Sequence, residues 1–118
     1  MEIKLITALT PIERNDLRQL SQGWHEQFVK AVVDVERRVM VVGGELHADG
    51  EAVLLNDGSR QSDLWGINFY PDVSDESWVE FDSMINLRPS QGNRSRSVED
   101  PTLRARILKV VTELVRGV

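Results

Sequence analysis

The sequence predicts one α+β domain, a two-layer sandwich in which a largely antiparallel sheet of about five strands carries two main helices on one face. Several short segments alternate apolar and polar residues with period two, which is typical of strands with one buried face. Two further segments, one near each end of the chain, begin with helix-capping residues. The 118 residues contain no repeat and no linker-like stretch, so 1–118 is predicted to be a single domain.

The N-terminal segment predicts a strand followed by a helix. Glu2–Ile6 is short and mostly apolar, as expected of a first strand. Thr10 is followed by proline and, three residues on, by glutamate, which together form a capping box with proline at the first helical position. We therefore expect a helix that begins at Thr10, runs to about Gln22 and stops at Gly23.

The next segment predicts a β-hairpin. Residues 28–35 alternate apolar and polar side chains, apart from Val32, which falls out of the pattern. The charged residues 36–38 fit a turn, and the apolar residues 39–42 fit the return strand.

Residues 49–57 fit either a short helix or a strand. Asp49 is a favoured N-cap residue, and Gly58 is a favoured residue just after a helix end. The apolar residues between them would also suit a strand. The helix is the preferred interpretation.

The second half of the chain predicts two more strands, 65–70 and 78–88, joined by the acidic loop 71–77. If the strands pair as a hairpin, their apolar odd-numbered residues share one face. The other face then collects the polar residues Asn68, Glu80, Asp82, Asn86 and Arg88. Asp100 and the proline after it start a last helix, whose apolar stripe consists of Leu103, Ile107, Val110, Val111 and Leu114.

The composition excludes several classes of protein. There is no cysteine, so neither a disulfide framework nor a thiolate metal site can form. No apolar run approaches the ~20 residues of a membrane span and the N-terminus does not resemble a signal peptide, so we expect a cytoplasmic protein without a membrane partner.

The charge is unevenly distributed along the chain. Residues 1–87 carry 7 basic and 16 acidic side chains, whereas 88–118 carry 7 basic and 3 acidic ones. This asymmetry makes nucleic acid an unfavourable partner and favours attraction between the two parts within the fold over an external anion.

The polar run from Asn86 to Arg96 is the densest group of site-like side chains. It leads into a helix start, where backbone N–H groups attract anions, and its arginines add bidentate donors for phosphate or carboxylate. The candidate ligand-binding residues are Asn68, Asn86, Arg88, Gln91, Asn93, Arg94 and Arg96. The alternative is that the arginines pair internally with Asp82, Glu99 or Asp100.

A second group of candidates surrounds a histidine. His47 lies among carboxylates at two-residue spacings, as in a general base with its orienting acid. The candidate catalytic residues are His47, Asp49 and Asp82. The alternative is that Asp49 caps a helix and His47 is an ordinary loop histidine. We expect no metal and no cofactor, although Asp49, Glu51 and Asp82 are ligands of the type that magnesium or manganese prefers.

Three strings in the chain carry a resemblance to a known family: GGELHAD at 43–49, LWGIN-YP at 64–71 and RPSQGNRSR at 88–96. From Val29 to about Ile107 the chain resembles a small bacterial family of uncharacterised proteins, catalogued as domain of unknown function 5674. The resemblance implies a stand-alone small bacterial protein. It supplies no activity, so no catalytic residue follows from it.

Two functional hypotheses from different classes remain, and the first is preferred. In the first, the protein is a binding or interaction module that presents the 88–96 loop to an anionic small molecule or partner. A homodimer is part of this hypothesis, because the polar face of the sheet still carries Val32, Trp78 and Met84. In the second, it is a small hydrolase or phosphate-handling enzyme in which His47 acts with Asp82 and the loop. Nucleic-acid binding is disfavoured further because 88–118 contains no aromatic residue.

Overall fold

A computed structural model describes residues 2–22 and 27–117 and shows an α+β fold around one five-stranded sheet. The strands of this sheet are β1 (Ile3–Ile6), β3 (Val29–Asp34), β4 (Val39–Gly43), β5 (Leu64–Phe69) and β6 (Val79–Glu80). Their order is β1-β4-β3-β5-β6, and all neighbours are antiparallel. A short parallel pair joins β2 (Ile12–Glu13) to β7 (Val115–Arg116). The predicted fold class and the antiparallel sheet are confirmed.

Helices α1 (Arg14–Ser21) and α3 (Pro101–Leu114) cover one face of this sheet. The apolar residues of β3, β4 and β5 that point to this face form the main core with both helices: Val29, Ala31, Val33, Met40, Val42, Trp65, Ile67, Phe69, Leu17, Ile107, Val110, Val111 and Leu114. Asp100 caps α3 as predicted, since its carboxylate accepts from the Thr102 N–H at 2.9 Å. The period-two pattern of the strands therefore identified the side chains that face the main core.

Helix α2 (His47–Asn56) packs against the opposite face, above β3 and β4. A smaller apolar cluster forms there from Val32, Val41, Leu54 and Leu64. Val32 is thus covered by the chain's own helix, and Trp78 instead stacks on Phe69 in the main core. Of the three apolar residues that suggested a homodimer, Met84 alone is exposed.

The preferred helix interpretation of 49–57 is confirmed, although α2 begins two residues before Asp49. The Asp49 carboxylate accepts from the Leu46 N–H at 3.1 Å, so it caps the helix from the third helical position. Gly58 follows the helix end with a φ of +104°, a conformation that favours glycine. None of the helices in the described residues has both the length and the apolar character needed to cross a membrane.

The first helix begins later than the capping pattern predicts. The Thr10 hydroxyl accepts from the Thr7 N–H at 3.3 Å, and the Thr10 N–H donates to the Thr7 carbonyl at 3.0 Å, so Thr10 closes a turn. Ile12 then pairs with Val115 and buries its side chain, and α1 starts only after this pairing. The predicted stop at Gly23 lies outside the described residues.

The predicted strand 78–88 is wrong except at Val79–Glu80, which form β6. Ser83 caps a 3-10 turn over Met84–Asn86 instead. The Asn86 side chain takes the place of a strand backbone, because its Oδ1 accepts from the Gly66 N–H at 2.8 Å and its Nδ2 donates to the Gly66 carbonyl at 2.9 Å. The edge of β5 is therefore satisfied by a side chain, an arrangement that periodicity cannot reveal.

Candidate functional site

A cleft of about 480 Å³ opens on the α2 face of the sheet, between the start of α2 and the segment 82–85. We call it the Asn68 cleft. It is lined by Phe28, Lys30, Leu46, His47, Ala48, Asn68, Tyr70, Glu80, Asp82, Ser83, Met84, Ile85 and Arg96. A few convergent polar groups within a partly apolar concave surface are typical of a small-molecule site.

The floor of the Asn68 cleft is a row of polar side chains across three strands. The sheet register pairs Lys30 of β3 with Asn68 of β5, and Asn68 with Glu80 of β6. Because directly paired residues point to the same face, all three side chains lie on the α2 face. Tyr70 closes one end, where its hydroxyl donates to Glu80 Oε1 at 3.4 Å and its ring stacks on Phe28.

Asn68 is the buried polar residue at the centre of this row, with 5% of its surface exposed. Its Nδ2 donates to Glu80 Oε1 at 2.8 Å and to the Asp82 carbonyl at 3.0 Å. Its Oδ1 is equally buried and accepts no hydrogen bond of normal geometry from the described residues, although the Asn68 side chain interacts with the His47 ring and raises the pKa of that ring. A buried acceptor left unpaired costs about 1–3 kcal/mol, so a donor delivered to this atom by a ligand would stabilise the protein.

His47, the first residue of α2, lies beside Asn68 with one edge of its ring fixed against the sheet. Its Nε2 is 2.9 Å from the Ile67 carbonyl oxygen, which can only accept, so Nε2 carries the proton. The ring also packs over Gly66, since a Cβ at that position would lie 3.1 Å from His47 Cδ2. The opposite edge, with the lone pair of Nδ1, therefore faces away from the sheet.

Burial lowers the pKa of His47 below its ordinary value, because a partly dehydrated site disfavours the imidazolium. The Ile67 carbonyl, the Asn68 side chain and, more weakly, Asp82 raise this pKa, whereas Lys30 lowers it. Burial outweighs the groups that raise it. His47 is therefore neutral at pH 7, with Nδ1 as an acceptor.

The lowered pKa of His47 predicts a pH-dependent stability. As the pH falls below about 6.5, the unfolded chain takes up a proton at His47 before the folded protein does, so the free energy of unfolding declines towards the folded-state pKa. We expect His47→Gln to lose less stability than the wild type between about pH 7.5 and pH 5.5. Urea denaturation at both pH values measures the difference. Equal losses in the two proteins would contradict the neutral ring.

The first turn of α2 borders the Asn68 cleft and contains backbone N–H groups that have no acceptor within the helix. The residue before the helix is Leu46, whose side chain offers no acceptor to cap it. The Asp49 N–H donates to the Leu46 carbonyl at 3.0 Å, whereas the N–H groups of His47 and Ala48 precede the helical hydrogen-bond ladder. His47 and Ala48 both line the cleft, so the helix start adds a partial positive charge there.

Arg96 and Asp82 form an ion pair at the mouth of the cleft. Arg96 Nε lies 3.0 Å from Asp82 Oδ1, and Nη2 lies 3.4 Å from Oδ2. The side chains are 56% and 46% exposed, and pairs exposed to this degree contribute little to stability. With Lys30 and Glu80, the cleft holds two acidic and two basic side chains, so its formal charge is balanced.

Most of the polar run from Asn86 to Arg96 serves the fold of its own loop. Asn93 is buried, and its Nδ2 donates to the carbonyls of Asn86, Ser95 and Ser97 at 2.7, 3.1 and 2.8 Å. Its Oδ1 accepts from the Glu99 N–H at 3.0 Å. All the hydrogen-bonding groups of the Asn93 amide are thus used within the loop.

The other loop side chains are directed to the protein or to solvent. The Arg88 guanidinium stacks on Trp65, 3.9 Å from the ring centroid, and donates to two backbone carbonyls of the segment 61–64. Gln91 Nε2 donates to a third carbonyl of this segment at 3.0 Å. Arg94 is exposed and lies outside the lining of the Asn68 cleft.

The structure brings four of the sequence-predicted residues together in the Asn68 cleft: His47, Asn68, Asp82 and Arg96. The remaining candidates lie in the loop, apart from Asp49 in the first turn of α2. The internal pairing considered for the arginines occurs between Arg96 and Asp82, while Asp100 caps α3.

Sequence reasoning did not name Lys30, Glu80 and Tyr70 as site residues. The hairpin pattern placed Glu80 on the face of Asn68, but Lys30 needed the register of β3 against β5, which the sequence does not specify. Tyr70 lies in the LWGIN-YP string, but that string brings no activity with it and so gave no reason to name Tyr70 as a site residue.

No group of three or more histidine or carboxylate side chains within 2–22 and 27–117 is arranged to hold a metal ion. Asp49 accepts from a backbone N–H and Asp82 pairs with Arg96. The magnesium or manganese alternative built on Asp49, Glu51 and Asp82 therefore gains no support from the geometry.

One family model, described as "Protein of unknown function (DUF5674)", matches residues 5–114 of the chain. The match spans every residue that lines the Asn68 cleft. Comparisons with the curated proteins and with the solved structures give no match.

Proposed function

Because the chain belongs to the family described as "Protein of unknown function (DUF5674)", which brings no activity with it, we propose a function from the Asn68 cleft itself: the protein binds a small polar organic molecule there. The observation that carries this proposal is Asn68, a side chain of the cleft floor whose buried Oδ1 accepts no hydrogen bond of normal geometry from residues 2–22 and 27–117. Proteins rarely leave a buried acceptor unpaired. A ligand that donates a hydrogen bond to Asn68 Oδ1 removes the free-energy cost of the unpaired acceptor and adds a favourable contact.

The loop arginines contribute to this proposal unequally. Arg96 lines the Asn68 cleft, so its exposed pair with Asp82 can exchange for a ligand group. Arg88 is held on Trp65 and by backbone carbonyls, and displacing it would expose those groups. An anionic ligand therefore depends on Arg96 and Lys30 rather than on the loop as a whole.

The binding proposal predicts where probe molecules perturb the protein. We expect at least one of acetamide, acetate, methylammonium, phenol and inorganic phosphate, at millimolar concentration, to shift backbone amide signals of 46–48 and 83–85 in two-dimensional NMR spectra of ¹⁵N-labelled protein. Asn68→Ala should abolish these shifts, because it removes the central polar group of the floor.

Asn15→Ala is the matched control for this experiment. Asn15 is an exposed asparagine in α1, on the opposite side of the sheet. The control should respond to the probes as the wild type does. Shifts that cluster at Arg94, or that persist in Asn68→Ala, would refute the Asn68 cleft as the binding site.

A small enzyme, such as a hydrolase, is the second candidate function, and His47 is the observation that favours it. A neutral histidine with a fixed tautomer in a cleft has the properties of a general base. The Ile67 carbonyl fixes the tautomer, while Arg96 is placed to stabilise negative charge on a substrate. The pH dependence of His47→Gln tests the premise, because a histidine protonated at pH 7 cannot act as the base.

A further inference from the structure

We propose that the Asn68 cleft selects ligands with an amide-type group, in which an N–H donor and a carbonyl acceptor lie side by side, attached to an apolar or aromatic body. This inference rests on the proposed binding function and adds the chemical class of the ligand. Three independent features of the cleft support it.

The first feature is the acceptor on the floor. Asn68 is 5% exposed, lines the cleft, and has an Oδ1 that accepts no hydrogen bond of normal geometry from the described residues. Its own Nδ2 is already used on Glu80 and Asp82. At Asn68 the floor therefore offers an acceptor and no free donor, so a ligand group that meets Asn68 Oδ1 must carry an N–H or O–H.

The second feature is the donor wall at the start of α2. The N–H groups of His47 and Ala48 have no helical partner, and Leu46 offers no side-chain cap. His47 connects this wall to the floor, because its ring reaches the Ile67 carbonyl next to Asn68.

The third feature is the apolar part of the walls. Leu46 and Met84 are each 61% exposed, although both are large apolar side chains that line the cleft. The stacked rings of Phe28 and Tyr70 bound the other end. Burial of these surfaces requires an apolar body on the ligand. The balanced charge of the cleft gives an anionic group no net attraction.

Three matched compounds test this inference in the wild-type protein: benzamide, N,N-dimethylbenzamide and benzoate. All three carry a phenyl ring and a carbonyl or carboxylate acceptor, but only benzamide carries an N–H donor. NMR titration should give a benzamide affinity at least about tenfold higher than that of either other compound, since a hydrogen bond to a buried acceptor is lost with both. Asn68→Ala should remove the difference between benzamide and N,N-dimethylbenzamide.

The outcomes separate this inference from the binding proposal. Equal affinities for benzamide and N,N-dimethylbenzamide in the cleft would show that Asn68 Oδ1 accepts no hydrogen bond from the ligand. This result would overturn the inference, although the cleft would still bind both compounds. Tighter binding of benzoate would do the same and indicate an anion site at Arg96 and Lys30. If none of the three shifts the cleft signals, the inference fails, and the probe panel above decides the binding proposal separately. The comparison of the three compounds with one another uses wild-type protein, so its outcome does not depend on how well Asn68→Ala folds.

Discussion

Asn93→Ala should lower the free energy of unfolding by about 3 kcal/mol, since it removes the two N–H donors that three backbone carbonyls share and the oxygen that accepts from one N–H, and each lost bond costs on the order of 1 kcal/mol. Asn93 is 5% exposed and is the common partner of Asn86, Ser95, Ser97 and the Glu99 N–H. Water reaches the vacated site poorly, so it replaces these bonds incompletely. Urea denaturation monitored by circular dichroism measures the change.

Gln91→Ala is the matched control for this prediction. Gln91 is an exposed amide in the same loop, with one hydrogen bond to the Ser62 carbonyl. Its substitution should change the free energy of unfolding by less than about 0.5 kcal/mol. If both variants were equally stable, the polar run would not be a structural element, and its side chains would be available to a ligand after all.

Gly66→Ala is expected to destabilise the protein by about 3 kcal/mol, at the upper end of the range for overpacking. A Cβ at this position would lie 2.6 Å from the Cβ of Ser83 and 3.1 Å from Cδ2 of His47. Ser83 is 1% exposed and therefore has little room to move. The substitution should also displace the His47 ring, so we expect the cleft to bind probes more weakly.

The double variant Gly66→Ala/Ser83→Gly separates steric overlap from other causes. Removal of the Ser83 side chain takes away the atoms nearest to the new methyl group. The double variant should be less destabilised than the sum of the two single variants, by about 1 kcal/mol or more, because the residues are in contact. If the changes in the free energy of unfolding, measured by urea denaturation, were simply additive, the close approach of Ser83 to β5 would not be the reason that position 66 requires glycine.

The fold was predictable wherever an element shows its own periodicity. In residues 28–35 and 65–70 the odd-numbered apolar side chains all enter the main core, and the stripe of α3 repeats because one side of the helix packs on the same core. The start of α1 was not predictable, because the pairing of Ile12 with Val115 joins segments about a hundred residues apart. The distant pairing therefore overrides the local capping signal and delays the start of the helix.

The candidate site was predictable only in part, for a similar reason. His47, Asn68, Asp82 and Arg96 were singled out by residue type, and the fold brings them together. The donors of the loop were assigned to a ligand because their internal partners are backbone carbonyls, which a sequence does not display.

The charge asymmetry of the chain has an internal explanation at two positions. Arg96 pairs with Asp82, and Arg106 pairs with Glu36 at 3.4 Å, so basic side chains of the C-terminal quarter meet acidic ones from the rest of the chain. Both pairs are largely exposed, and they therefore contribute to the arrangement of the surface more than to stability.

A crystal structure of the protein soaked with benzamide tests the central claim most directly, namely that the Asn68 cleft binds ligands while the 86–94 part of the loop supports the fold. The claim predicts benzamide in the cleft with its nitrogen within about 3.2 Å of Asn68 Oδ1, and the Asn93 and Arg88 hydrogen bonds unchanged. Benzamide bound against Arg88 or Arg94, with the cleft empty, would contradict it.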